Sequence, residues 1–262
     1  MSNASPLVTV MINAARKAAR GLNRDFGELK DLPTKRKGAA DFVTAADHRA
    51  EQTLFEELSK GRPKYGFLME ERGEIAGADN SNRWVVDPLD GTTNFLHGLA
   101  QFAISICLER DRQPYAGVIY NPVADELYWA EKGEGAWLND KRLRVSGRKA
   151  LDECLFATGL PFKGRPGRER SLKEVDRVLA ETAGVRRYGS AALDLAFVAA
   201  GRFDAYWERD LNSWDVGAGI VLVREAGGTV AEIDGGAQPM HNGSILAANT
   251  EIFDKAKALL KS

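Results

Sequence analysis

The sequence predicts a mixed helix-and-strand protein built in stacked layers, with two halves sharing a crevice. Helical patterns bracket the chain at both ends, and the first half between them holds a series of short apolar runs of strand length. The second half alternates strand-like and helix-like segments, and no internal repeat or low-complexity linker separates the halves. With 262 residues the chain is long enough for one large domain or two closely joined lobes around a sizeable core.

The elements follow in order. Ser5 can cap a first helix, Pro6 suits its first turn, and Leu7, Met11, Ala14, Ala15, Ala18 and Leu22 recur at helical spacing. From 28 to 40 the pattern dissolves into charged and turn-forming residues, including Pro33, Lys35, Arg36, Lys37 and Gly38, which reads as a mobile loop able to close over a site. Thr44-Ala45-Ala46-Asp47 resembles a capping box with Asp in place of Glu and opens a helix toward Leu58. Apolar runs at 67–69, 84–86, 103–108, 116–120 and 127–130 have strand length, and Gly133-Glu134-Gly135 looks like a tight hairpin turn. Further on, 155–158, 205–207, 229–233 and 244–248 read as strands; 168–183, 190–200, 214–225 and 252–260 read as helices.

Composition narrows the class. The chain is 44% hydrophobic and 28% charged with a formal net charge of −1, so its overall balance calls for neither nucleic acid nor an anionic membrane as partner. Cys107 and Cys154 sit in apolar surroundings and read as buried thiols of a reducing, cytoplasmic compartment. No apolar stretch approaches membrane-spanning length, and the first residues lack the order of a signal peptide.

The chemistry concentrates in Asp87-Pro88-Leu89-Asp90-Gly91-Thr92-Thr93. An apolar strand delivers Asp87 at its end, and Pro88, which has no N–H, stops the ladder. Asp90 follows three residues later, at a spacing that turns both carboxylates to one point. Gly91 allows close backbone approach, and a helical turn starting there leaves N–H groups free for an anion. Either Asp-Pro or Asp-Gly alone is an ordinary turn; the whole run, between an apolar strand and two threonines, is more than that. Glu70 and Glu71 follow another strand-like run, and Asp215 lies in the first turn of a helix that Ser213 can cap. Taken singly, Glu70 reads as a solvated turn and Asp215 as helix-start electrostatics. Three scattered histidines and two unpaired cysteines argue against zinc. An all-oxygen set suits Mg²⁺, or Mn²⁺ as a substitute, and the four negative charges of Glu70, Asp87, Asp90 and Asp215 match two divalent cations.

These blocks closely resemble the inositol monophosphatase family. Residues 87–95 are similar to its first signature, and Trp214-Asp215-Val216-Gly217-Ala218-Gly219, continuing to Glu225-Ala226-Gly227-Gly228, to its second. Asp41-Phe42-Val43-Thr44-Ala45-Ala46-Asp47 and Glu70-Glu71 match two further blocks, in order, over nearly the whole chain. The resemblance implies an α+β fold, a layered αβαβα sandwich of the inositol monophosphatase and fructose-1,6-bisphosphatase type. It would form a single phosphatase domain with an N-terminal lobe of about 1–145 and a C-terminal lobe of about 146–262. It further implies hydrolysis of inositol monophosphate by a metal-activated water, two or three Mg²⁺ ions, lithium inhibition and a homodimer. By position, Glu70, Asp87, Asp90, Asp215 and the Leu89 carbonyl would hold metal, and Thr92, Asp47 and Glu70 would position or activate the water. Gly91 and Thr92 would hold phosphate, while Gly189, Ser190, Ala191, Glu208 and Asp215 would face the alcohol half. Met69 stands before Glu70 where many members have Gly, and the region 208–212 keeps its acid but is otherwise variable. Fructose 1,6-bisphosphate, a nucleotide 3′-phosphate or histidinol phosphate stay open as substrates, as does a non-catalytic role beside the transcription or RNA-processing machinery.

Overall fold

The structure, a computed structural model, describes residues 4–28, 34–38 and 41–261. Helix α1 (Pro6–Gly27) starts where Ser5 Oγ accepts the Val8 N–H at 3.2 Å, and α2 (Ala45–Gly61) packs beside it. Their apolar faces, with Met11, Ala15, Leu22, Leu54 and Leu58 fully buried, form the first layer. Between them β1 (Thr34–Gly38) and β2 (Asp41–Thr44) pair antiparallel, which corrects the loop reading over 34–38; the rest of that reading, at 29–33 and 39–40, lies outside the described residues. Among the described residues these strands pair only with each other, so no apolar alternation toward a core marks them in the sequence. The side chains of Lys35, Arg36 and Lys37, and with them their part in closing a site, lie outside the described residues.

The second layer is an eight-stranded sheet. In chain order it contains β3 (Tyr65–Met69), β4 (Gly73–Ile75), β5 (Asp79–Asp90), β6 (Ala103–Arg110), β7 (Gln113–Asn121), β8 (Glu126–Glu131), β9 (Gly135–Leu138) and β10 (Lys141–Arg142). Only β3 and β5 run parallel. The β8–β9 turn forms as expected, and Glu225 fastens it by accepting the N–H groups of Gly133 at 3.0 Å and Gly135 at 2.9 Å. Between β5 and the short α3 (Thr92–Leu96) lies Gly91.

The middle layer is α5 (Ala191–Ala199) and α6 (Ser213–Glu225), apolar all round because sheets cover both sides. Gly117 of β7 faces Ala218 so closely that an added Cβ would sit 2.6 Å from a backbone oxygen, which is how α6 reaches the sheet. The fourth layer is a five-stranded sheet in the order β12 (Gly184–Arg186), β11 (Leu155–Thr158), β13 (Ala205–Arg209), β15 (Ser244–Ala248), β14 (Thr229–Ala231). Helices α4 (Arg168–Glu181) and α8 (Phe253–Leu260) cover its outer face around Phe156, Val178, Trp207 and Leu246. A short α7 (Pro239–Asn242) precedes β15. The order helix, sheet, helix, sheet, helix is the αβαβα sandwich the resemblance implied.

Candidate active site

The site begins with a departure from the expected strand end. Strand β5 does not stop at Pro88 but runs to Asp90, and its pairing with β6 slips between Asp87, opposite Ser105, and Asp90, opposite Ala103. Three steps on β5 thus face two on β6, which is a bulge, and a bulge is where a sheet tolerates proline. The bulge carries Asp87, buried with Leu89 N–H donating to its Oδ1 at 2.8 Å, and Asp90, whose side chain reaches the cleft.

Gly91 adopts φ +95°, and a Cβ there would lie 2.9 Å from the Gln101 carbonyl, so only glycine turns the chain into α3 at this point. Thr92 Oγ1 lies 3.2 Å from Asp47 Oδ1 and 3.1 Å from the Leu89 carbonyl, within donating range of both. Asp47 is buried in the first turn of α2. Beyond β3, the turn at Glu70 is held by Glu51, which accepts the Glu71 N–H at 2.8 Å.

Asp90 Oδ2 accepts the Ser190 hydroxyl at 2.6 Å and the Ala192 N–H at 2.7 Å. The start of α5 therefore grips Asp90, although the sequence assigns Ser190 and Ala191 to the substrate; both still line the cleft. Asp215 lies at the third position of α6, and the helix is capped by Asn212 rather than Ser213. Asp215 Oδ2 accepts the Asn212 N–H at 2.6 Å, whereas Ser213 Oγ donates to the Met240 carbonyl.

These groups meet at a cleft of about 440 Å³, whose lining includes Glu70, Asp90, Thr92, Glu208 and Asp215. Its chemistry is dominated by crowded negative charge. Burial, and then the charges of Glu70, Asp90 and Asp215, push the Asp87 carboxyl far above its ordinary range. Asp215 is raised in the same way, by burial and then Asp90. Asp90 is pushed up to about 6 by burial, against the lowering effect of Ser190, the α5 amides and Arg187. Among the described residues no three His, Cys, Asp or Glu side chains stand ready as a closed metal cage. The fit to a hard cation rests instead on charge and donor type: four mutually repelling carboxylates, oxygen donors only.

On the far wall, Glu208 of β13 accepts the Tyr206 hydroxyl, and burial raises it to about 7. Gly159 is what leaves room for it, since a Cβ there would fall 1.9 Å from the Glu208 carboxylate. Sequence reasoning misses Asn94, which ties the loops together by donating to Gln101 O and Tyr188 O, both at 2.7 Å. It also misses Phe162, Arg165 and Arg187, which line the cleft. Asn94 is legible in principle, because it lies within the signature run; the two arginines stand in charged loops that carry no pattern.

A layered sandwich that brings four carboxylates and a threonine–aspartate pair to the mouth of a short helix defines a phosphoric monoester hydrolase. The comparisons sharpen this: residues 3–261 match the model of the inositol monophosphatase family, and the chain belongs to that family. It is 58% identical over 255 residues to an inositol-1-monophosphatase of Caulobacter vibrioides, covering 96% of this chain and all of that one. It is 44% identical to the Nus factor SuhB of Pseudomonas aeruginosa, covering 97% of this chain and 94% of that protein. The crystal structure of the extragenic suppressor protein suhB from Bartonella henselae superposes with a TM-score of 0.95 at 53% identity, covering 98% of this chain and 99% of the other.

Proposed function

We propose that the protein hydrolyses inositol monophosphate to inositol and phosphate in a Mg²⁺-dependent reaction, with Mn²⁺ as a substitute. The observation that carries this reading is the crowding of Glu70, Asp87, Asp90 and Asp215, whose repulsion a cation would relieve. Those four carboxylates and the Leu89 carbonyl would hold two or three ions. When bound, the ions would offset the negative charge, make water a better nucleophile and stabilise the departing alkoxide.

The chain's own groups do the rest. Thr92 Oγ1, within reach of Asp47, receives a proton from the attacking water as its own passes to Asp47. Glu70 orients that water. The Gly91 and Thr92 N–H groups face the equatorial phosphate oxygens, where charge develops. Gly189, Ser190, Ala191 and Glu208 face the alcohol half, and Asp215 meets it from the metal side. Asp90 is read as one of the carboxylates that would hold the cations rather than as a nucleophile; Ser190 and Ala192 anchor its Oδ2. A single domain of two lobes, about 1–145 and 146–262, closes this site from both sides.

The test is a panel of phosphomonoesters assayed with Mg²⁺, with and without Li⁺. Inositol monophosphate is expected to be hydrolysed on the order of tenfold or more faster than histidinol phosphate or a nucleotide 3′-phosphate, and Li⁺ to inhibit. Turnover of either of those two with none of inositol monophosphate would overturn the substrate. Absence of metal-dependent phosphate release from every ester would instead favour a non-catalytic role beside the transcription machinery.

We also propose a homodimer. Leu99 is 55% exposed, Val123 42% and Tyr188 39%. Their loops are fastened together, by Asn94 to Tyr188 and by Asn121 Nδ2 donating to the Ala100 carbonyl at 3.2 Å. That apolar surface suits a second copy. Light scattering should give twice the chain mass for the wild type and one chain mass for Leu99→Glu; a monomeric wild type at micromolar concentration refutes it. Among the described residues no helix is long and apolar enough to cross a membrane. The two buried, free cysteines suit a cytoplasmic setting, which recovery of the protein from a secreted fraction would contradict.

A further inference from the structure

We propose that Glu51 is a positioning residue for the reaction: from α2 it fixes the turn that presents Glu70, so that one helix aligns both acids assigned to the attacking water, Asp47 and Glu70. The inference rests on the reading of the cleft as a metal-dependent phosphomonoesterase site and deepens it.

Glu51 is a buried acid to which the reaction as described gives no part. It is 1% exposed and lies one turn beyond Asp47 on the same face of α2. Asp47 is equally buried and stands 3.2 Å from Thr92 Oγ1. The helix therefore carries, one turn apart, a carboxylate against Thr92 and a carboxylate against the turn after β3.

Each oxygen of Glu51 has its own partner in that turn. Oε2 accepts the Glu71 N–H at 2.8 Å, and Oε1 pairs with Arg72 Nε at 3.2 Å. Arg72 is gripped from α2 twice more, by a hydrogen bond to Gln52 Oε1 and by the Phe55 ring, whose centroid lies 5.0 Å from its guanidinium carbon. Phe55 in turn packs on Phe67 of β3, with ring centroids 4.9 Å apart. On the other side, the Glu70 N–H donates to the Val86 carbonyl at 3.3 Å, which continues the β3–β5 pairing up to the residue before Asp87.

The geometry gives these contacts a direction. The Glu71 N–H belongs to the peptide that follows the Glu70 Cα, and the Glu70 N–H to the peptide that precedes it. Each peptide is planar, so holding both fixes the Cα–Cβ bond of Glu70 and the way its side chain leaves the backbone. Burial raises the Glu51 carboxyl, and the Glu71 amide and Arg72 offset only part of that. An apolar side chain of similar volume would join α2 to the turn without that cost, so packing alone does not call for an acid here. What the carboxylate supplies is a fixed acceptor for one particular amide. Partners that orient a metal-binding side chain are worth about 10–100-fold in metal affinity or activity.

The test is a double-mutant cycle, read by kcat/KM for inositol 1-phosphate in Mg²⁺ and by calorimetric Mg²⁺ affinity. Glu51→Leu keeps the bulk and removes both contacts; it is expected to lower each quantity by roughly 10–100-fold, the kinetic loss falling mainly on kcat. Glu51→Gln keeps an acceptor for the Glu71 N–H, should lose less, and carries the same cycle if the leucine variant does not fold. In a Glu70→Gln background, either substitution should change both quantities by less than about twofold, because the carboxylate that Glu51 aims is gone. In a Glu208→Gln background each should cost its full factor. Size exclusion and thermal melting verify assembly and fold. An equal cost in the two backgrounds would make Glu51 a residue of the fold alone and overturn the inference, as would wild-type kcat and Mg²⁺ affinity in both Glu51 variants. Should the wild type release no phosphate, the phosphatase reading fails, and the cycle in Mg²⁺ affinity still decides whether Glu51 positions Glu70.

Discussion

Asp90→Asn is expected to lower kcat/KM by about 10³-fold or more, equivalent to about 4 kcal/mol of transition-state stabilisation, while the fold persists. The structure explains how one substitution separates the two effects. The Ser190 hydroxyl and the Ala192 N–H converge on a single oxygen of Asp90, Oδ2. An asparagine can place its carbonyl oxygen there, keep both hydrogen bonds, and turn its NH₂ toward the cleft. The link between the bulge of β5 and the start of α5 therefore survives. What disappears is the charge, and with it one of the four carboxylates a cation would need. Because burial raises Asp90 above its ordinary range, the charge costs the metal-free fold free energy, and its removal should hold or raise the melting temperature measured without metal. The Mg²⁺-induced rise in melting temperature should shrink at the same time. Wild-type turnover by this variant in Mg²⁺ would remove Asp90 from the site.

The same contact shows what the sequence can and cannot disclose. The run 87–93 is legible because its chemistry is local: acid, proline, acid and glycine lie within one turn of chain. Even so, the proline reads as a strand end, whereas a bulge absorbs it and carries the strand on to Asp90. Ser190 lies a hundred positions away from Asp90, and its hydroxyl bond to that carboxylate follows from the packing of α5 between two sheets, which no local pattern encodes. Helix α1 is readable from its cap and its apolar stripe. The β1–β2 pair is not, because among the described residues its strands pair with each other alone, and the sequence there has charged residues where periodicity would be sought. Glu208 can be named from the resemblance, but its neighbours cannot. The glycine that makes room for it comes from β11's end, and the arginines above it from two unrelated loops.

Those displaced carboxyl groups predict a pH dependence opposite in sign to common acid denaturation. Asp90 is raised to about 6 and Glu208 to about 7, and Asp87 and Asp215 lie well above their usual range. Unfolded, all four would titrate near ordinary carboxylate values, about 4. Between about pH 4 and 7 the folded, metal-free protein therefore binds more protons than the unfolded chain, and stability falls as pH rises. The contribution is complete below about pH 4 and is lost as pH passes through the raised values. Asp90 alone, raised to about 6 from about 4, corresponds to on the order of 3 kcal/mol. The cleft is open to water, which reduces the sum over the group. A fall in melting temperature of roughly 5–10 °C between about pH 5.5 and 8 is expected for metal-free protein, at about 2–4 °C per kcal/mol for a chain of this size. Mg²⁺ binds the ionised carboxylates and not the protonated ones, so it should reverse the trend, stabilising strongly at the higher pH and weakly at the lower. Calorimetric melts at both pH values, with and without Mg²⁺, measure this directly. A metal-free melting temperature that is flat or rises across that interval would mean that these carboxyls are not raised in the folded protein, and the charge argument for a cation would lose Asp87, Asp90 and Asp215.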